Sequence, residues 1–159
     1  MFTSTTSPTV ASVCPDATPP PLNVAIIYDH QTAYRRAIRL LASTLVGDEA
    51  AVDVRPRPWR CEELQASASA KLALTDAAEA DVFLVSTAAR AELAAGVLGW
   101  LEEAFRRRDG RPTAVMALFD REDDPHGCGE NSSRRIREIA GVARLHFLEP
   151  AILAEPAMC

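Results

Sequence analysis

Ala80-Asp81-Val82-Phe83-Leu84-Val85-Ser86-Thr87 contains the most hydrophobic short run in the chain, over residues 81–86. It does not alternate between apolar and polar positions, so both of its faces are built for burial. That is the pattern of a central strand in a parallel sheet covered on both sides. Upstream, Leu22-Asn23-Val24-Ala25-Ile26-Ile27-Tyr28 is a second apolar run and ends at Asp29; downstream, residues 113–119 form a third.

The segments between these runs carry helical spacing. Over residues 31–46, Tyr34, Ile38, Leu41 and Leu45 fall on one face, Arg35, Arg36 and Arg39 turn toward water, and Gly47 ends the helix. Residues 91–108 place Leu93, Val97, Trp100, Leu101, Ala104 and Phe105 opposite Glu102, Glu103, Arg106 and Arg107. A polar helix is expected over residues 62–80 and a short one over 133–140. Residues 51–55 alternate and run into Pro56 and Pro58, which suits an edge strand. In residues 142–148, Ala143, Leu145 and Phe147 alternate with Arg144 and His146, as a fifth strand would.

Strands alternating with helices imply right-handed crossovers and a parallel sheet. The expected fold is α/β, a three-layer flavodoxin-like domain over residues 22–159 with five strands in the order 2-1-3-4-5. After the last strand only Pro150-Ala151-Ile152-Leu153-Ala154-Glu155-Pro156 follows, too short and proline-bounded for a good helix. One sheet face is therefore expected to lack cover over the third to fifth strands. A two-fold homodimer would bury such a patch, with the N-terminal arm or residues 151–158 as alternative covers.

The chain has 159 residues, 48% of them hydrophobic and 25% charged, the balance of a globular domain. With 17 Lys+Arg against 22 Asp+Glu the net charge is −5, which argues against general nucleic-acid or membrane-surface binding. Lys71 is the only lysine; the arginine and alanine bias reads most simply as the codon usage of a GC-rich, bacterial genome. Cys14, Cys61, Cys128 and Cys159 form no C-x-x-C pair, so free thiols in a reducing compartment are expected. Residues 1–21 are rich in Ser, Thr and Pro and read as a disordered arm. They lack the basic and apolar regions of a secretory signal, and no run approaches the ~18–20 apolar residues of a membrane span. The expected location is the cytoplasm.

In sheets of this order ligands bind beyond the carboxyl ends of the strands. Ala80 to Thr87, followed by Ala95, Val97, Trp100 and Leu101, resembles the third strand and helix of flavodoxin-like FMN reductases. Ala114 to Asp120, then an acidic loop with Gly127, Gly129, Glu130 and Asn131, is similar to the fourth strand and flavin-side loop of flavodoxins. The resemblance spans residues 22–148 and implies FMN bound around Thr32, Ser86, Thr87, Asp120, Gly127 and Asn131.

One part of that pattern is not matched. Flavodoxins cradle the phosphate in a Gly- and hydroxyl-rich loop after the first strand, using backbone N–H groups at a helix N-terminus. Here the sequence is Asp29-His30-Gln31-Thr32-Ala33-Tyr34, without glycine, and Asp29 would stand beside the phosphate unless Arg35 or Arg36 compensates. A phospho-receiver is excluded as well, because the third strand ends in Ser86 instead of an aspartate and Leu148-Glu149 replaces the lysine.

Other candidates have plainer readings. His126 and Cys128 in the acidic loop of residues 120–131 lack the paired spacing of a metal site. His30 reads as a surface residue at a strand-to-helix turn, and Trp100 as core; Trp59 is more open and suits stacking on a planar ligand. The groups Arg106-Arg107-Arg108 with Arg111, and Arg134-Arg135 with Arg137, read as solvated helix ends. No G-x-S-x-G, Walker loop or G-x-G-x-x-G is present. These readings imply a cofactor-free interaction or regulatory module with a degenerate ligand site; the alternative is an FMN-binding redox protein.

Overall fold

In the computed structural model the described residues are 20–45, 53–88, 92–108, 111–119 and 127–148. The N-terminal arm, Asp120 and the rest of the acidic loop through residue 126, and the tail after Leu148 lie outside them.

The elements alternate: β1 Leu22–Tyr28, α1 Gln31–Leu45, β2 Val54–Arg60, α2 Cys61–Gln65, α3 Ser67–Ala77, β3 Val82–Thr87, α4 Ala95–Arg106, β4 Ala114–Phe119, α5 Cys128–Val142 and β5 His146–Leu148. All four strand pairings are parallel and the order is β2-β1-β3-β4-β5, the flavodoxin-like order. No helix among the described residues is long and apolar enough to cross a membrane.

The two faces of the sheet are covered unequally. Ala25, Ile27, Phe83, Val85, Val115 and Ala117 face a large core supplied by α2, α3, α4 and α5. Val24, Ile26, Leu84, Met116 and Leu118 face the other way, where Ala37 and Leu41 of α1 join them. The patch expected to be bare over the third to fifth strands is out of solvent on β3 and β4, while Leu148 on β5 is 45% exposed. Leu84 is fully buried, Met116 is 7% exposed and Leu118 9%, all within the single chain.

Several boundaries differ from the sequence expectation, each for a local reason. β2 runs through Pro56 and Pro58 instead of stopping at them. Both prolines share one parity on an edge strand, so the pairing with β1 needs no N–H from either; Arg55, Arg57 and Trp59 remain to donate. The polar helix of residues 62–80 is two helices, because Ala66 takes extended backbone (φ −90°, ψ 124°) between them. The helix expected over 133–140 begins at Cys128, since Gly127 adopts a left-handed conformation (φ 69°) and starts it early.

Residues 142–148 are not one strand. Val142 closes α5, Arg144 is left-handed (φ 62°), and only His146–Leu148 pair with β4. Arg108, expected in solvent, is 5% exposed. Its guanidinium donates to the Thr113 hydroxyl at 3.2 Å and to the Ala78 carbonyl, joining the turns after α4 and α3 to the entry of β4. Trp100 is core as expected, with its indole N–H donated to the Ala70 carbonyl at 3.1 Å.

Candidate functional site

The strand order reverses direction at β1, whose neighbours are β2 on one side and β3 on the other. The crevice beyond the carboxyl ends of β1 and β3 is thus the topological switch point, where open α/β sheets bind ligands. Asp29 and His30 are the only residues between β1 and α1. The His30 carbonyl accepts the first helical bond from Tyr34 N–H at 3.1 Å, and the Tyr28 and Tyr34 rings lie 5.1 Å apart. This connection has no slack.

Asp29 ties the two strands together. Its Oδ2 accepts the Ala88 N–H at 3.1 Å, just past β3, and lies 3.2 Å from His30 Nδ1. The His30 side chain is 66% exposed, in keeping with a surface position. Arg36 of α1 donates to the Thr87 carbonyl at 3.4 Å, while Arg35 faces solvent. The compensating arginine thus lies beside the end of β3.

Ser86 and Thr87, expected to face a ligand, are both buried. Ser86 Oγ is committed, donating to the Ala33 carbonyl at 2.7 Å in the first turn of α1. Thr87 Oγ1 has no hydrogen-bond partner. Thr32 is exposed on that same first turn.

Of the remaining predicted residues, Asn131 lines a different cleft and Gly127 lies one helical turn before it. Gly127 caps α5, and Asn131 donates from Nδ2 to Glu92 Oε1 at 3.1 Å. Ser132 Oγ accepts the Leu93 N–H at 3.1 Å beside them. Glu92, Leu93, Leu98, Asn131 and Arg135 line a cavity of about 200 Å³ there. Asp120 lies outside the described residues, so Thr32, Ser86 and Thr87 form one group and Gly127 and Asn131 another.

At the end of β2, Trp59 was legible as an open aromatic, whereas Cys61 carried little signal in the sequence. Trp59 precedes the end of β2 and packs against the helix-rich core with its indole N–H buried and unpaired. Cys61 starts α2, and burial, with the Asp29 charge second, pushes its thiol up to about 12. It stays protonated at neutral pH and is no nucleophile. Interaction with the Tyr28 hydroxyl raises the pKa of the exposed Arg60. Among the described residues no three His, Cys, Asp or Glu side chains are grouped to hold a metal ion. His126 lies outside them.

No protein-family model matches this sequence, and no curated protein matches it significantly.

Proposed function

We propose that the chain is a cofactor-free regulatory or interaction module, acting in the cytoplasm, on a flavodoxin-like sheet whose ligand site has changed character. The observation that carries this reading is the Asp29 turn. A flavin phosphate needs free amides between the first strand and the first helix. Here two residues make the whole connection, and the carboxylate of one of them is anchored to Ala88 N–H across the crevice.

The electrostatics point the same way. Each pair of like unit charges about 4 Å apart costs about 4 kcal/mol at an effective dielectric constant of about 20. A phosphate dianion beside Asp29 meets that repulsion roughly twice over, against one guanidinium already donating to the Thr87 carbonyl.

The test is optical. Freshly purified protein is expected to be colourless in the visible range and to leave the fluorescence of added FMN unquenched. Flavin absorption bands, or saturable quenching, overturn the reading in favour of a redox protein.

A further inference from the structure

The cavity beside Glu92 and Asn131 does not close on itself. Past Leu93 and Leu98, which line both, it opens into a groove of about 520 Å³ between α4 and α5. From α4 the groove is walled by Ala95, Leu98, Gly99 and Glu102, and from α5 by Arg135, Glu138, Ile139 and Val142. Each set has the spacing i, i+3, i+4, i+7, so each is one stripe along its helix. The two helices precede and follow β4 of a parallel sheet, pack against each other and run in the same direction. Two facing stripes of this spacing form the bed for a third helix.

The bed is shaped for close approach. Leu93, Leu98 and Ile139 are half-buried along it, Ala95 and Gly99 are small and exposed, and a Cβ on Gly99 would meet nothing within 4 Å. Val142, at one end, is 87% exposed. A lone exposed valine is ordinary; one that ends a row of half-buried apolar side chains in a groove marks an interaction surface. The charges on the rim are sorted as well. Arg134 and Arg135 lie toward Asn131, and Glu138 and Glu102 toward Val142. Among the described residues none of these four is in a salt bridge. A helix is itself most stable with acidic residues in its first turn and basic ones in its last. Such a helix meets both charge pairs when its N-terminus lies at the arginine end, so that it runs parallel to α4 and α5.

We infer that the groove between α4 and α5 docks an amphipathic helix of a partner protein, acidic in its first turn, basic in its last and apolar along the stripe between. A second copy of this chain has no such stripe to offer. Apart from the walls of the groove, its described helices turn their apolar stripes against their own sheet. The groove is the docking surface of the interaction module proposed above, and the inference rests on that reading.

The experiment titrates the isotope-labelled full chain, followed by NMR, with a lactam-stapled peptide of about 15 residues, the length at which a helix begins to hold in water. It carries leucines at i, i+3, i+4 and i+7, glutamates in its first turn and lysines in its last. The same peptide with glutamines in place of the leucines is the control. Saturable shifts of the Gly99, Ile139 and Val142 amides are expected with the first peptide and not with the second. Gly99→Trp fills the groove and should weaken binding about tenfold or more, and Val142→Gln about fivefold, the scale of one apolar side chain left unburied. Exchanging Glu102→Lys and Glu138→Lys together should weaken binding about threefold at low salt and remove most of its salt dependence. The unfolding midpoint of each variant is measured alongside; Val142→Gln, at the most exposed position, decides where Gly99→Trp fails to fold.

Silence toward the leucine peptide, an equal response to the glutamine peptide, or undiminished binding in the folded groove variants overturns the inference. Binding that ignores the double charge exchange overturns the partner's stated chemistry. A doubled mass that returns to that of one chain in Gly99→Trp also overturns it, because the groove then belongs to a second copy. Saturable FMN quenching defeats the interaction reading itself; a chain that ignores both FMN and the leucine peptide defeats this inference alone.

Discussion

At the amino-terminal end of the sheet, the Arg108 side chain bridges three turns. It spans from the end of α4 to the Ala78 carbonyl after α3 and the Thr113 hydroxyl before β4. Burial, with Arg111 second, lowers its pKa, and Asp81 opposes that shift. Asp81 has its own part there, accepting the Asn23 N–H at 3.0 Å where β1 begins. Truncating Arg108 strips two acceptors of their donor and leaves a space where its stem packed. Arg108→Ala is expected to cost about 2–3 kcal/mol of stability. Chemical denaturation checks it; a loss under ~0.5 kcal/mol, the usual size for a surface residue, would show that water replaces the guanidinium. Nothing in the run Arg106-Arg107-Arg108 distinguishes the buried member from the exposed ones. Arg106 and Arg107 pair with Glu103 on the solvent side, and one further residue turns the third arginine inward.

At the scale of the element, the end of α5 is the least conventional backbone in the fold. Leu145 N–H reaches back to the Ala140 carbonyl at 2.9 Å, and Arg144 N–H to Gly141 at 3.1 Å. These are the two bonds of a Schellman cap, whose left-handed residue is usually glycine. Here it is Arg144, with φ at 62°. The Cβ of an ordinary residue makes that conformation costly. Arg144→Gly should therefore stabilise the chain by about 0.5–1 kcal/mol after the entropy glycine gains on unfolding is allowed for. A rise in the thermal midpoint would show it, and a fall would mean that the arginine side chain has a packing role. This cap also explains what the sequence concealed. The alternation of Ala143, Leu145 and Phe147 imitates a strand, yet Ala143 and Leu145 are buried as the cap of a helix. The long apolar runs were legible because burial on both faces leaves no polar position to confuse the reading. Pro56 and Pro58 hid the length of β2, since only an edge position with the right parity tolerates both. Likewise, Ser86 and Thr87 were legible as strand-end residues, but their separation into one committed and one unpaired hydroxyl depends on where α1 lies.

For the whole molecule, the unequal helix layers raise the question of how the thinner face is closed. Among the described residues, four helices pack on one side and α1 alone on the other, an asymmetry that in sequence form suggested a dimer across the sheet. The apolar residues that would form that interface are not available to a second copy. Leu84, Met116 and Leu118 are already out of solvent in one chain. Covering them again would gain almost nothing, because the hydrophobic contribution scales with area newly removed from water, about 25 cal/mol per Å². The large apolar side chains that remain exposed are Leu72 on α3, Val142 on α5 and Leu148 on β5, among the described residues. They lie on three different elements, and single exposed residues of this kind are normal on monomers. The edge at β2 is also poorly suited to pairing with another sheet, since Pro56 and Pro58 break its row of outward N–H groups. The protein is therefore expected to be a monomer at micromolar concentration, with a light-scattering mass near 17.2 kDa. A mass near twice that value would return the dimer. Substituting Leu148→Lys would then place it: dissociation would locate the contact at the β5 edge, and an unchanged mass would locate it elsewhere.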